Sequence, residues 1–151
     1  MKKLLGIFGL LLAVCLFAAW ASESFRSGYN VENLIRRTAL FGVIGIGVTF
    51  VIVTGGIDLS IGSVICLVGC GLPWLLTVQK WSLPAALLAV AVVSMGIGLM
   101  HGLLITKLRL QPFIVTLCGL MLYRGITRGF TKDQTVGFGD GYKDLRVLAT
   151  G

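Results

Sequence analysis

The chain has 151 residues, of which 56% are hydrophobic and only 13% are charged. Soluble domains carry about 25% charged residues, so this composition excludes a soluble fold, and the length admits about five spans of ~20 residues with no room for a soluble domain beside them. The net charge is +7, but its cations lie between and beside apolar segments, as the flanking charges of membrane proteins do, so it does not point to nucleic acid.

The first apolar run covers residues 4–21, behind Lys2 and Lys3. A secretory signal peptide is a rival reading, with Ala19-Trp20-Ala21 as its small-x-small cleavage site. The run is long enough to span, Trp20 suits an interface, and more spans follow, so a retained helix is expected. Residues 22–38 form a polar connection with Arg26, Arg36 and Arg37, where Asn30 or Asn33 is placed to cap a short helix.

From Ala39 to Val78 the chain is apolar, and Asp58 is the only charge in the stretch. One helix of that length would reach about 60 Å, twice the ~30 Å of a bilayer core. The chain therefore breaks or turns back close to Gly55-Gly56-Ile57-Asp58. The expected spans on either side are 39–57 and 59–78. Gly69, Gly71 and Pro73 predict a kink or early stop near the far end of the latter, and Trp74 and Trp81 bracket that end as belt aromatics do.

A fourth span is expected over 83–105, with His101 as its only ionisable residue and Gly98 and Gly102 as a small-xxx-small step for helix packing. Lys107 and Arg109 mark a basic turn closed by Gln111-Pro112. The fifth span covers 113–130 and carries Arg124 and Arg128 one turn apart. Those arginines either snorkel to the interface, pair with Asp133, or line an aqueous cavity. Residues 131–151 read as a polar loop, and Gly137-Phe138-Gly139-Asp140-Gly141 lacks the βαβ setting of a phosphate cradle. The chain ends at Ala149-Thr150-Gly151 with no closing element, which reads as a truncation. Cys15, Cys66, Cys70 and Cys118 all sit in apolar segments and read as small hydrophobes, not as metal ligands.

Catalytic signatures are missing: no His-Glu-x-x-His, no Gly-x-Ser-x-Gly and no Walker loop. An intramembrane protease needs paired aspartates or a Ser/His pair, and Asp58 stands alone among the spans. The expectation is a non-enzyme without cofactor or metal. A carboxylate at the centre of a span costs roughly 2.5–3.5 kcal/mol on insertion scales, so Asp58 needs a reason. Asp58 or Ser60 can cap the helix that follows; alternatively, the break lies at depth, as in the broken helices of transporters. The residues leave both open. Apart from Thr49, Thr54, Asp58 and Ser60, no polar stripe is legible along a span, which argues against a homo-oligomeric channel.

The run Thr49-Phe50-Val51-Ile52-Val53-Thr54-Gly55-Gly56-Ile57-Asp58-Leu59-Ser60-Ile61-Gly62-Ser63 resembles a signature of the permease subunits of bacterial ABC importers for ribose, xylose and related monosaccharides. A second matching stretch runs from Gly102 through Lys107, Arg109, Gln111-Pro112 and Thr116 to Tyr123-Arg124-Gly125. His101 and Gln111 depart from that pattern, where Asn and Pro are common. The resemblance implies an all-helical permease of about ten spans, of which this chain matches the N-terminal half. It also implies a cytoplasmic N-terminus, although a positive-inside count does not favour that placement. The implied setting is the bacterial cytoplasmic membrane, with a second permease copy, cytoplasmic ATPase subunits and an extracytoplasmic sugar-binding protein as partners. Thr54, Gly55, Gly56, Asp58 and Ser60 are the candidates for the translocation path or its gate, with His101 and Arg124 second. The alternative is a non-transporting remnant or a small assembly partner.

Overall fold

The computed structural model describes residues 2–142, and two compact units divide at Phe50–Val51. Lys143, Asp144 and Arg146 lie outside the described residues.

In the first unit, α1 covers Lys2–Ala21 and no residue of its span Lys3–Ala21 is buried. Its Leu, Ile, Val and Phe residues point all round, which suits a helix surrounded by lipid. Ser22 then ends one helix and starts the next: its amide bonds back to the Ala18 carbonyl, and its hydroxyl accepts from the Phe25 amide at 3.3 Å. The short helix α2, Glu23–Arg26, follows. Ser27 takes the same role for α3, accepting from the Asn30 amide at 3.2 Å.

Helix α3 runs Gly28–Val53. The cap expected of Asn30 or Asn33 is thus supplied by serines, because a hydroxyl three residues ahead of a free amide already meets it. Asn30 and Asn33 lie inside α3, where their side-chain amides donate to the carbonyls of Phe25 and Tyr29. Glu32 and Arg36 pair one turn apart on its polar start.

The second unit is a three-helix bundle of α4 (Ile61–Thr77), α5 (Leu83–Thr106) and α6 (Pro112–Thr131). Proline opens two of them, as Pro84 in the first turn of α5 and Pro112 at the start of α6, where a missing amide proton costs nothing. α4 packs most extensively on α6 and also on α5. α4 and α6 run the same way, because the Ile57 carbonyl ahead of α4 meets Thr116 near the start of α6, while the Trp74 and Phe130 rings meet at 5.2 Å near their ends. α5 connects them and runs the opposite way. Trp74, expected as a belt residue, is therefore also a bundle contact. α4 does not stop at Pro73 but continues to Thr77. With four residues left, proline removes little of the ladder, and its ring is fully buried.

Both tight connections end their helix in the same way. Lys80 and Arg109 adopt left-handed backbone, with φ of 57° and 54°, and the next amide reaches back six residues, from Trp81 to Leu75 and from Leu110 to Leu104. Beyond α6 the chain is irregular up to a single 3-10 turn at Asp140–Tyr142.

Four described helices are long and apolar enough to cross a bilayer: α1, α3, α5 and α6. With 17 residues, α4 is about 26 Å long, short of a ~30 Å core. The chain is a multi-pass, all-helical membrane protein.

Candidate functional site

The helix before the break ends for a specific reason. The Gly56 amide donates to the Val51 carbonyl and the Gly55 amide to the Ile52 carbonyl, both at 2.9 Å. This is the Schellman pair of bonds, which requires left-handed backbone one residue past the cap. Gly55 supplies it with φ of +74°. Gly56 is needed for space: a Cβ there would stand 3.2 Å from Val51 Cγ1, 3.3 Å from the Val51 carbonyl and 4.0 Å from Pro112. Thr54 donates its hydroxyl to the Val51 carbonyl at 2.9 Å and is exposed.

Asp58 organises the next turn. Its Oδ1 accepts from the Ser60 amide at 2.7 Å and from the Ser60 hydroxyl at 2.6 Å. Ser60 is the residue ahead of α4 and makes no side-chain cap bond of its own, because its backbone is already helical (φ −80°, ψ −15°) instead of the extended form from which a cap hydroxyl reaches the first-turn amides. The expected helix cap is therefore replaced by a tight Asp turn one step earlier. Ser63 donates its hydroxyl back to the Ser60 carbonyl at 2.7 Å. Ser60 is 1% exposed, whereas Asp58 is half-buried. The segment thus starts exposed at Gly55, passes the first residue of α6 at Gly56 and ends buried at Ser60.

α6 holds this segment. The Thr116 hydroxyl donates to the Pro112 carbonyl at 2.8 Å and reaches the Ile57 carbonyl at 3.2 Å. Thr116 belongs to a buried face that continues through Gly119, Tyr123, Thr127 and Thr131. This corrects the expectation that no polar stripe lies beyond the Thr49–Ser60 region. The stripe escapes a reading of composition because Thr, Gly and Tyr are ordinary in an apolar span. What marks it is their spacing of three or four residues, which places all five on one helix face.

His101 meets this face. Its Nε2 and the Tyr123 hydroxyl share a hydrogen bond of 2.8 Å, and the residues are 8% and 3% exposed. The phenol donates when the imidazole proton sits on Nδ1. Gly119 makes room for the ring, since a Cβ there would lie 2.7 Å from His101 Nε2. Tyr123 lies in the second matching stretch of the sequence but is not among the candidate site residues read from it; what singles it out is its place on the buried face of α6, against His101.

Arg124 stands apart from this cluster. It is exposed and makes no hydrogen bond or ion pair among the described residues. Arg128 grips Asp133 with two N–H groups, and both side chains are largely exposed.

A family model described as branched-chain amino acid transport system, permease component, matches residues 30–147. The chain belongs to this permease family. Among curated relatives, the xylose transport system permease protein XylH of Escherichia coli K12 is 36% identical over 132 residues, covering 83% of this chain and 32% of XylH. The ribose import permease protein RbsC of Haemophilus influenzae is 33% identical over 145 residues, covering 93% of this chain and 44% of RbsC. The permease chain thus spans about a third to under half the length of these relatives. No solved structure matches it.

In this permease the structure joins Gly55, Gly56, Asp58 and Ser60 into one folded turn and ties it through Thr116 to α6. The second-rank candidate His101 joins the same bundle interior through Tyr123. Among the described residues no group of three or more His, Cys, Asp or Glu is placed to hold a metal ion.

Proposed function

We propose that this chain forms part of the membrane pathway of an ATP-driven importer of a monosaccharide in the bacterial cytoplasmic membrane. The single observation behind the reading is the structured break from Gly55 to Ser60. Non-helical backbone beside a carboxylate is tolerated at membrane depth only where protein buries it or water reaches it, and here one end is exposed and the other buried. The family model speaks of amino acids, whereas the full-length relatives quoted above handle xylose and ribose, which favours a sugar. ATP hydrolysis falls to a separate cytoplasmic subunit, so the permease itself is not the enzyme. An extracytoplasmic sugar-binding protein and a second permease copy complete the assembly. The break end, with Lys107 and Arg109, faces the cytoplasm.

The test is sugar uptake by the assembled importer carrying Asp58→Ala. Hydrogen bonds to a charged group are worth about 1.5–3 kcal/mol, so a pathway that depends on this turn loses about tenfold or more in uptake rate. Normal uptake with a normal amount of permease in the membrane rejects a role for the break. Co-purification separates the rival reading: a permease brings down an ATPase subunit, whereas a remnant without a transport role does not.

A further inference from the structure

We infer that His101 and Tyr123 form a positioning pair that acts through α6 on the break. The inference rests on the pathway reading for its consequence in transport, but its geometry and its test do not need that reading.

Three contacts lie in sequence on one face of one helix. The Thr116 hydroxyl, whose one proton is shared with the nearer Pro112 carbonyl at 2.8 Å, lies 3.2 Å from the Ile57 carbonyl. Gly119, three residues on, carries the His101 ring within the space a Cβ would fill. Tyr123, four further on, shares the hydrogen bond with His101 Nε2. From Thr116 to Tyr123 is about 10 Å along the helix axis. The helix between them is a stiff element, so a change in how α5 seats on α6 moves the anchor of the break with it. The seat is also chemically selective. Tyr123 and His101 are the polar groups that join α5 to α6 by side-chain hydrogen bonding among the described residues, and both are buried. A polar pair buried among apolar helices is expensive to separate without replacement partners.

The pair has no contact with the exposed start of the break. Its effect is therefore indirect, and a purely local packing role would leave the break unchanged. That difference makes it testable. The probe is Thr54→Cys in the whole permease, with Cys15, Cys66, Cys70 and Cys118 and any further native cysteines changed to serine, labelled by a hydrophilic maleimide in open membrane fragments, where both faces are accessible. A control thiol at Lys132, at the opposite end of α6, reports general loosening.

Tyr123→Phe removes one oxygen and should change the labelling rate at position 54 by about threefold, the worth of a typical interhelical hydrogen bond in a bilayer, and leave the control thiol unchanged. His101→Ala should do the same, and the two together should do no more than either. His101→Gln should restore the parent rate, because the Gln side-chain amide reaches the place of Nε2. An unchanged rate in Tyr123→Phe, additive effects in the double variant, or an equal change at position 132 overturns the inference. Thr116→Val cuts the link from the break side; if Tyr123→Phe does not accumulate, an unchanged rate at position 54 in Thr116→Val overturns the inference alone. Labelling needs no transport, so a failure of sugar uptake rejects the pathway reading and leaves this result standing.

Discussion

Gly119 carries the most exacting demand for space in the bundle. An added methyl would fall 2.7 and 2.8 Å from His101 Nε2 and Cε1 and 3.0 Å from Tyr123 Cε2. Overpacking of this kind costs about 1–3 kcal/mol. Gly119→Ala should therefore lower the melting temperature of the detergent-solubilised permease clearly. Most of that loss should vanish in a His101→Ala background, because the two closest atoms are then gone. An undiminished loss in that background would show that the cost lies elsewhere in α6. Gly55 makes a different demand, on backbone and not on space: nothing lies within 4 Å of its would-be Cβ, yet its φ of +74° disfavours any side chain. Asp133 gives the residue scale its pH dependence. The Arg128 guanidinium beside it holds the carboxyl below the usual carboxylate range. A carboxyl with a lowered folded value contributes stability above its ordinary value of about 4, and that contribution is lost as the pH falls through the folded value. Both groups are exposed, so the effect is small. The difference in melting temperature between the wild type and Asp133→Asn should hold constant from pH 7 to 5 and shrink only below about pH 4.

Helix ends are where the elements show their chemistry. α6 closes on Lys132, a non-glycine residue at φ of 52°. Left-handed backbone costs an L-residue roughly 1–2 kcal/mol, partly returned when a cation neutralises the negative end of the helix. Lys132→Gly should raise stability by about 0.5–1 kcal/mol, and Lys132→Ala, which keeps the Cβ and loses the charge, should not. Thermal unfolding in detergent separates the two. The elements were largely legible in the sequence, because apolar runs of ~20 residues have few other solutions. The break was legible for the same reason: Gly-Gly followed by Asp cannot continue a membrane helix cheaply. Its detail was not. Which serine caps α3, and that Asp58 bonds the residue ahead of α4 in place of its first-turn amides, depend on local backbone angles. Least legible was the polar face of α6. Tyr123 and His101 lie 22 positions apart, and no local pattern announces a contact between two helices.

At the scale of the molecule, the direction of three helices places each connecting segment at one end of the second unit or the other. The Ile57–Thr116 contact joins the break to the start of α6. The Trp74–Phe130 stack and the bond from the Tyr142 hydroxyl to the Leu76 carbonyl mark the far end. α5 and α6, with 24 and 20 residues, are about 36 and 30 Å long, and each matches or exceeds the bilayer core. Thr54, Lys107 and Arg109 must then face one side of the membrane, and Lys80, Gln134 and Tyr142 the other. Single cysteines at Thr54 and Arg109 should label from the same side with an impermeant thiol reagent, and cysteines at Lys80 and Gln134 only from the opposite one. With the break end cytoplasmic, the first pair should react in inverted vesicles and the second in intact cells with a permeable outer envelope. The two comparisons fail separately. If all four positions exchange sides together, the orientation is reversed and the bundle stands. If Thr54 labels from the side opposite Arg109, the break does not sit at the start of α6, and the anchoring of Ile57 by Thr116 is wrong.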